Sequence, residues 1–303
     1  MSVKAALLGV TLRLLRSVPP EFAWAVGERL GWLVGRLPLR DVRRAREHLA
    51  QAFPEQDAAW AARTARRCFR HFGGAMCWSL AAWTRDPVEL RRGIAVEGPE
   101  HVRALVRACR RGEGTVVYAG HFGNWELLAR VFGGLVPVAV IGRRLRDPAI
   151  DALVQGMRAG GGATVVYQDD DIRDLLRILR AGRVIATLAD QDVPQLAGTF
   201  VPWFGRLAYT PVAPAALALL GRAAVQPVHL YRRRGRWVLH AGPRRTIVRS
   251  GDREADQRVI TAWATTYEEA LVRRDPAQWV WWHKRWRTRP PAESAAGAEP
   301  ARV

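Results

Sequence analysis

Apolar residues follow two spacings along this chain, and the switching between them predicts its architecture. Short β-branched or apolar runs read as strands at 115–119, 136–141, 164–167, 184–189 and 225–231. A shorter extended piece lies at 199–204, and a partner strand at 236–240 follows the Arg234-Gly235 turn. Between the strands the spacing becomes helical. Helices are expected near 99–111, through Leu127-Leu128-Ala129-Arg130-Val131-Phe132, over 147–160 up to Gly160-Gly161-Gly162, over 171–181 and 211–220, and from about 256 to 273. Two more precede this alternation. One is capped by Asp41 and runs to Phe53, where Pro54 stops it; a longer one over 57–82 carries Trp60, Phe69, Phe72 and Trp78. Strands alternating with helices predict an α/β fold with a mainly parallel sheet flanked by helices. There is no internal repeat, and the Pro/Ala/Glu/Gly composition after Pro290 predicts a disordered tail over 290–303.

The first forty residues are patterned differently. Leu7, Leu8, Val10, Leu14 and Leu15 share one side of a helical wheel, with Arg13 and Arg16 opposite. The apolar run 5–15 is too short to span a bilayer, and no small-residue cleavage site follows it. After Pro19-Pro20 comes a second segment, with Phe22, Trp24, Val26, Leu30, Trp32, Leu33 and Val34 interspersed with Glu28, Arg29 and Arg36. Residues 1–40 are therefore expected to form membrane-associated amphipathic helices, with Trp and Arg in the headgroup layer. The alternative is that both helices pack on the domain over 41–289.

Composition narrows the partners. A hydrophobic content of 49% in 303 residues excludes general disorder and allows a large core. The net charge of +19 points to anions: nucleic acid, lipid headgroups or a phosphorylated substrate. Apart from Lys4 and Lys284 the positive charge is arginine, which grips phosphate in a bidentate fork and tolerates a lipid interface. Codon bias explains the choice of Arg over Lys, but not the excess of basic over acidic residues. Cys68, Cys77 and Cys109 lack metal-site or disulfide spacing and fit a reducing compartment. No HExxH, Walker A or GxSxG motif is present, which removes support for metalloprotease, NTPase and serine-hydrolase readings.

The candidate chemistry centres on Tyr118-Ala119-Gly120-His121-Phe122-Gly123-Asn124-Trp125-Glu126. A titratable His stands on a strand-to-helix turn, with Glu126 in the first helical turn. In α/β proteins ligands bind beyond the carboxyl ends of strands, and a carboxylate near an imidazole fixes its tautomer and makes it a general base. Other segments join it: Arg143-Arg144 and Asp147-Pro148 after one strand, Arg158 in the next helix, and Asp190-Gln191-Asp192 after a buried strand. Val201-Pro202-Trp203-Phe204-Gly205-Arg206 follows, and then the aromatic run 276–286.

Together these blocks resemble the bacterial lipid A biosynthesis acyltransferase family, over about residues 5–289. His121 to Leu127 looks like its HFGNWE-L block. Arg143 with Asp147-Pro148, then Arg158 and Gly160, is similar to its R-x-x-x-N-P and R-x-x-x-G stretch, with Asp147 in place of Asn. Asp190 to Asp192 resembles its acidic element, 201–206 its V-P-F-F-G block with Trp203 for Phe, and 278–286 its Q-W-x-W-x-H-x-R-W signature. The resemblance extends to the mannoside acyltransferases of actinobacteria. His48 stands where the lipid A enzymes usually carry Asn.

The resemblance implies a glycerophosphate-acyltransferase-like fold at the cytoplasmic face of the bacterial inner membrane, peripheral or monotopic. It implies acyl transfer from an acyl carrier protein or coenzyme A thioester to a hydroxyl of a membrane glycolipid, with no metal, no redox cofactor and no nucleic-acid partner. His121 would be the base and Glu126 would orient it, a role that Asp190 could share or take over. Backbone amides near Asn124, with Arg158, would stabilise the oxyanion. Arg143, Arg144 and Arg206 would hold phosphate, and Gln191 and Asp192 would contact substrate. Trp203 and Phe204 would line an acyl groove. Two other readings stay open: a nonenzymatic basic binder of membrane or nucleic acid, and a lipid hydrolase using the same base with water.

Overall fold

A computed structural model describes residue 10 and residues 17–83, 85–145 and 147–290. The first expected amphipathic helix, Arg146 and most of the expected tail lie outside the described residues. The elements in chain order are α1 (Pro20–Val34), α2 (Arg40–Ala52), α3 (Ala58–Ala82), α4 (Pro87–Arg92), β1 (Ala95–Glu97), α5 (Pro99–Arg110), β2 (Thr115–Ala119), α6 (Trp125–Gly133), β3 (Val138–Gly142) and α7 (Pro148–Ala159). They continue through β4 (Thr164–Tyr167), α8 (Ile172–Arg180), β5 (Val184–Leu188), β6 (Gly198–Trp203), β7 (Arg206–Pro211), α9 (Ala213–Gly221), β8 (Ala224–Arg233), β9 (Arg236–Ala241) and α10 (Arg253–Arg274). A short 3₁₀ turn, Pro276–Gln278, precedes the aromatic run.

Seven strands form one sheet in the order β1-β9-β8-β2-β5-β3-β4, and every pairing is parallel except β8 with β9. β2 is the middle strand and all five of its residues are buried, so its unbroken apolar run reflects helices on both faces. β6 and β7 form a separate antiparallel hairpin. The expected strand-helix alternation is present, with boundaries displaced by a residue or two at most elements. Three pieces were not foreseen: α4, the three-residue β1 and the β7 half of the hairpin. Asp41 is not the cap of α2. Leu39 holds that position, while Asp41 sits in the first turn and pairs with Arg44 at 3.0 Å. Asp57 does cap α3, accepting from the Trp60 amide.

One face of α1 packs on α3 at backbone distance. A Cβ at Gly27 would lie 2.2 Å from the Gly73 carbonyl oxygen, and one at Gly31 would lie 2.1 Å from that of Phe69. Trp24 is buried beside them, its ring edge-on to Trp237 at 5.6 Å. The opposite face of α1 is apolar and open, with Phe22, Leu30 and Leu33 each more than half exposed, and Arg36 stacks on Trp32 at 3.4 Å. Packing on the domain and an exposed apolar face thus belong to one helix. No helix among the described residues is long and apolar enough to cross a membrane. Gly27→Val or Gly31→Val is expected to destabilise the protein by about 1–3 kcal/mol through overpacking. Chemical unfolding in detergent checks this, and unchanged stability would mean that the α1–α3 contact is not rigid.

Candidate active site

β2 delivers His121 to the end of the sheet, and β5 delivers Asp190 beside it. The His121 ring Nδ1 lies 2.7 Å from Asp190 Oδ1, and the His121 backbone amide donates to Asp190 Oδ2, also at 2.7 Å. Trp279 Nε1–H donates to that same Oδ2 at 2.9 Å. A carboxylate only accepts, so Nδ1 carries the hydrogen and Nε2 is the free basic nitrogen. The ring is 19% exposed and the carboxylate 1%, so the base faces the cavity with its partner sealed behind it. Burial by itself would raise the Asp190 carboxyl. The adjacent His121 ring, followed by the hydrogen bonds from that ring, its amide and Trp279, outweighs burial and holds the carboxyl below the usual carboxylate range.

The turn between β2 and α6 is tied down on several sides. The Gly123 amide donates to the Gln278 carbonyl at 2.8 Å, and the Asn124 amide to that of Leu230 at 2.7 Å. His71 Nε2 donates to the Gly123 carbonyl at 3.2 Å. Gly123 has φ +69°, and a Cβ there would lie 2.0 Å from the Leu230 oxygen, so only glycine fits. Asn124, expected to bind substrate, is 5% exposed and caps α6. Its Oδ1 accepts from the Leu127 amide at 3.0 Å, and its amide nitrogen donates to Ser79 at 2.8 Å. Trp125 and Glu126 line the cavity at the positive end of α6, and their amides make no backbone hydrogen bond among the described residues.

The cavity encloses about 760 Å³. Phe72, Met76, Leu80 and Trp83 line one side at helical spacing along α3 and its C-terminal cap. Trp125, Val154 and Trp282 face them, and Arg44, Lys284 and Arg287 add positive charge to the lining. Trp125 meets the His121 ring edge-on at 4.8 Å, so the apolar surface reaches the base. The expected groove residues Trp203 and Phe204 are not here. They are buried, at 0% and 5% exposure, in a cluster with Phe53, Trp279 and Trp281. The hairpin turns them inward, and they support the site from beneath.

Glu126 does not hold the ring. It forms a two-point pair with Arg158, Nε to Oε2 at 3.1 Å and Nη2 to Oε1 at 2.7 Å, which engages both side chains; Glu126 is in the cavity lining, whereas Arg158, expected beside the oxyanion, stands outside it. The burial that would lower the Arg158 guanidinium is outweighed by this pairing, which raises it. Gln191 and Asp192 line the cavity. The Asp192 carboxylate, however, accepts from the Thr288 amide and hydroxyl at 2.6 and 2.8 Å, which anchors the C-terminal segment. Arg143 and Arg144 are exposed beyond β3, outside the cavity lining, and Arg144 pairs with Asp169 and Asp170 and stacks on Tyr167. Arg206, half-buried, bonds Gln51 with its guanidinium 5.2 Å from the Trp286 ring centre, and it also lies outside the lining. Sequence reasoning missed Trp279 as the second donor to Asp190, His283 in the cavity wall, and the α3 stripe. The stripe was visible as i, i+4, i+8 spacing, but nothing in that spacing says what it faces.

Several histidines are buried neutral. Burial is the leading cause for His71 and His283, each lowered to about 4, for His229, lowered to about 3, and for His48 and His240, lowered by smaller amounts. The unfolded chain takes up these protons near pH 6.5 while the folded chain does not. Stability should therefore fall as pH drops from about 6.5 toward 4. The raised Glu268 carboxyl acts in the opposite sense, as one group against five. Thermal unfolding at pH 7.5 and pH 5 tests this, and an equal or higher melting temperature at pH 5 would refute it.

A basic imidazole backed by a buried acid, at the carboxyl ends of parallel strands and beside an apolar cavity, defines a site suited to deprotonating a hydroxyl next to a lipid chain. The comparisons with known proteins agree. The family model described as bacterial lipid A biosynthesis acyltransferase matches residues 3–288, and the chain belongs to that family of acyltransferases. It is 27% identical over 279 residues to the lipid A biosynthesis lauroyltransferase of Escherichia coli K12, covering 89% of this chain and 88% of the relative. It is 25% identical over 272 residues to the palmitoleoyltransferase of the same organism, covering 89% and 86%. A phosphatidylinositol mannoside acyltransferase of Mycobacterium tuberculosis H37Rv matches at 27% over 199 residues, covering 63% of this chain and 59% of that one.

Proposed function

We propose that this enzyme transfers a fatty acyl chain from a thioester, on acyl carrier protein or coenzyme A, to a hydroxyl of a lipid A precursor. The observation that carries this reading is the His121–Asp190 pair opening onto an apolar cavity within a chain of this family. His121 Nε2 accepts the hydroxyl proton as the oxygen attacks the thioester carbonyl, and Asp190 stabilises the imidazolium. The oxyanion of the tetrahedral intermediate lies against the Trp125 and Glu126 amides. Collapse expels the thiolate, which takes the proton back from His121 and leaves an ester. The acyl chain runs along Phe72, Met76, Leu80 and Trp83, while Arg44, Lys284 and Arg287 face phosphate.

The open apolar face of α1 supports peripheral attachment to the cytoplasmic side of the inner membrane, with Trp32 and Arg36 at the headgroups. In this reading residues 1–40 are the membrane-associated part, 41–289 the acyltransferase domain and 290–303 a tail. A phosphatidylinositol mannoside is the second acceptor, favoured by the mycobacterial relative. The deciding assay offers acyl carrier protein and coenzyme A thioesters against a lipid A precursor and a phosphatidylinositol mannoside, in detergent. Acylation of the lipid A precursor is the expected result. Acylation of the mannoside alone moves the enzyme to the second acceptor, and thioester hydrolysis without transfer overturns both.

A further inference from the structure

Behind the His121–Asp190 pair, α10 presents Glu268. It is fully buried, and neither carboxyl oxygen has a hydrogen-bond partner among the described residues. A buried acid without donors is held in its neutral form or is held for a purpose. Its head group lies against Gly120, the residue before the base: a Cβ at that position would lie 1.6 Å from Oε1 and 2.7 Å from Oε2. Glu268 and the bare Cα of Gly120 therefore fill one space between them.

Four titratable or charged groups surround this acid and its turn. Asp190 is the nearest negative charge, and Arg285, fully buried, is the positive one. Arg285 spends its Nη groups on the Tyr209 carbonyl and the Thr210 hydroxyl, both at 2.7 Å, and its Nε is unpaired. Tyr118 reaches Thr265 on the same face of α10 at 3.4 Å. His229, buried with both ring nitrogens unpaired, stands edge-on to Phe122 at 6.1 Å. Asp190 accepts three donors and Glu268 none, so the negative charge belongs on Asp190 and the proton on Glu268. Burial and the Asp190 charge push the Glu268 carboxyl up, against the pull of Arg285.

We propose that Glu268 is a positioning residue of this site, an uncharged carboxylic acid whose head group seats Gly120 and so holds the His121 ring on Asp190. The role in turnover rests on the acyl-transfer reading above; the placement of the ring does not. Three measurements on the full chain in detergent test it. Infrared difference spectra of native protein against Glu268→Gln at pH 7.5 should contain the carbonyl stretch of a protonated carboxylic acid, and carboxylate bands instead overturn the proposal. The low-field Nδ1–H proton resonance, assigned by its loss in His121→Ala, should persist in Glu268→Gln and disappear in Glu268→Leu. Its unchanged survival in the Leu variant overturns the proposal.

In the transfer assay, Glu268→Gln should keep at least about a third of kcat. Glu268→Leu should lose about tenfold to 10²-fold with KM within about twofold, the scale of a misplacement of up to about 1 Å. Native kcat in the Leu variant overturns the positioning role. Gly120→Ala, which drives a methyl into the same space, covers the case of a Leu variant that fails to fold. It should lose the resonance, and the Gly120→Ala/Glu268→Ala double variant should regain it; no recovery overturns the contact. Native protein that transfers no acyl chain sinks the acyltransferase reading alone, and the spectroscopy still decides Glu268.

Discussion

Replacing His121 by Ala should lower acyl transfer at least about 10²-fold and as much as 10⁴-fold, the range that a positioned general base supplies. The loss should appear in kcat, because the cavity proposed for the acyl chain keeps its apolar walls. Nε2 is the free ring nitrogen facing that cavity, and no other histidine is poised in the same way. His283, the other imidazole in the lining, has its Nε2 accepting from the Asp192 amide at 3.1 Å and is lowered to about 4 by burial, partly offset by Asp190. It cannot substitute as the base. Steady-state assay of the folded variant decides this, and retention of a tenth or more of native kcat would place the proton transfer elsewhere.

Asp190→Asn should cost about 10³–10⁴-fold in kcat with little change in KM, the scale seen when the acid of a serine-protease triad is made neutral. The reason lies in donor and acceptor counting. Asp190 receives the His121 amide, the His121 ring and the Trp279 indole on two oxygens. Asn offers one oxygen, and its NH₂ would confront a donor. Relief comes by flipping the imidazole tautomer, which puts the hydrogen on Nε2 and leaves the base unable to accept. Asp190→Asn should also abolish the low-field Nδ1–H resonance, whereas Glu126→Gln should leave it in place, since Glu126 holds Arg158 instead. A variant with near-native kcat, or loss of the resonance in Glu126→Gln instead, would return the orienting role to Glu126.

That Asp190 and not Glu126 bonds the His121 ring shows where reading from the sequence runs out. Glu126 lies five positions after His121, and proximity along the chain suggests a pair. α6, however, begins at Trp125 and carries Glu126 around its first turn, where Arg158 of α7 pairs with it. Asp190 lies 69 positions away and reaches the ring because β5 pairs in parallel with β2, so that both strands end at the same level. Arg143, Arg144 and Arg206 stand next to motif residues, but none of the three lines the cavity: Arg144 is engaged by Asp169 and Asp170, and Arg206 by Gln51.

The alternation of helices and strands apart from α4, β1 and β7, the mainly parallel sheet, the His turn and the family blocks were determined by the sequence alone, because each depends on short-range periodicity or on contiguous residues. Which acid bonds His121, which face of α3 becomes the cavity wall, and that Trp279 and Glu268 stand against the Asp190 and Gly120 positions were decided only by the tertiary structure. Those pairings join segments tens to more than a hundred residues apart, and strand register and helix rotation, set by packing of the whole core, bring them within hydrogen-bond reach.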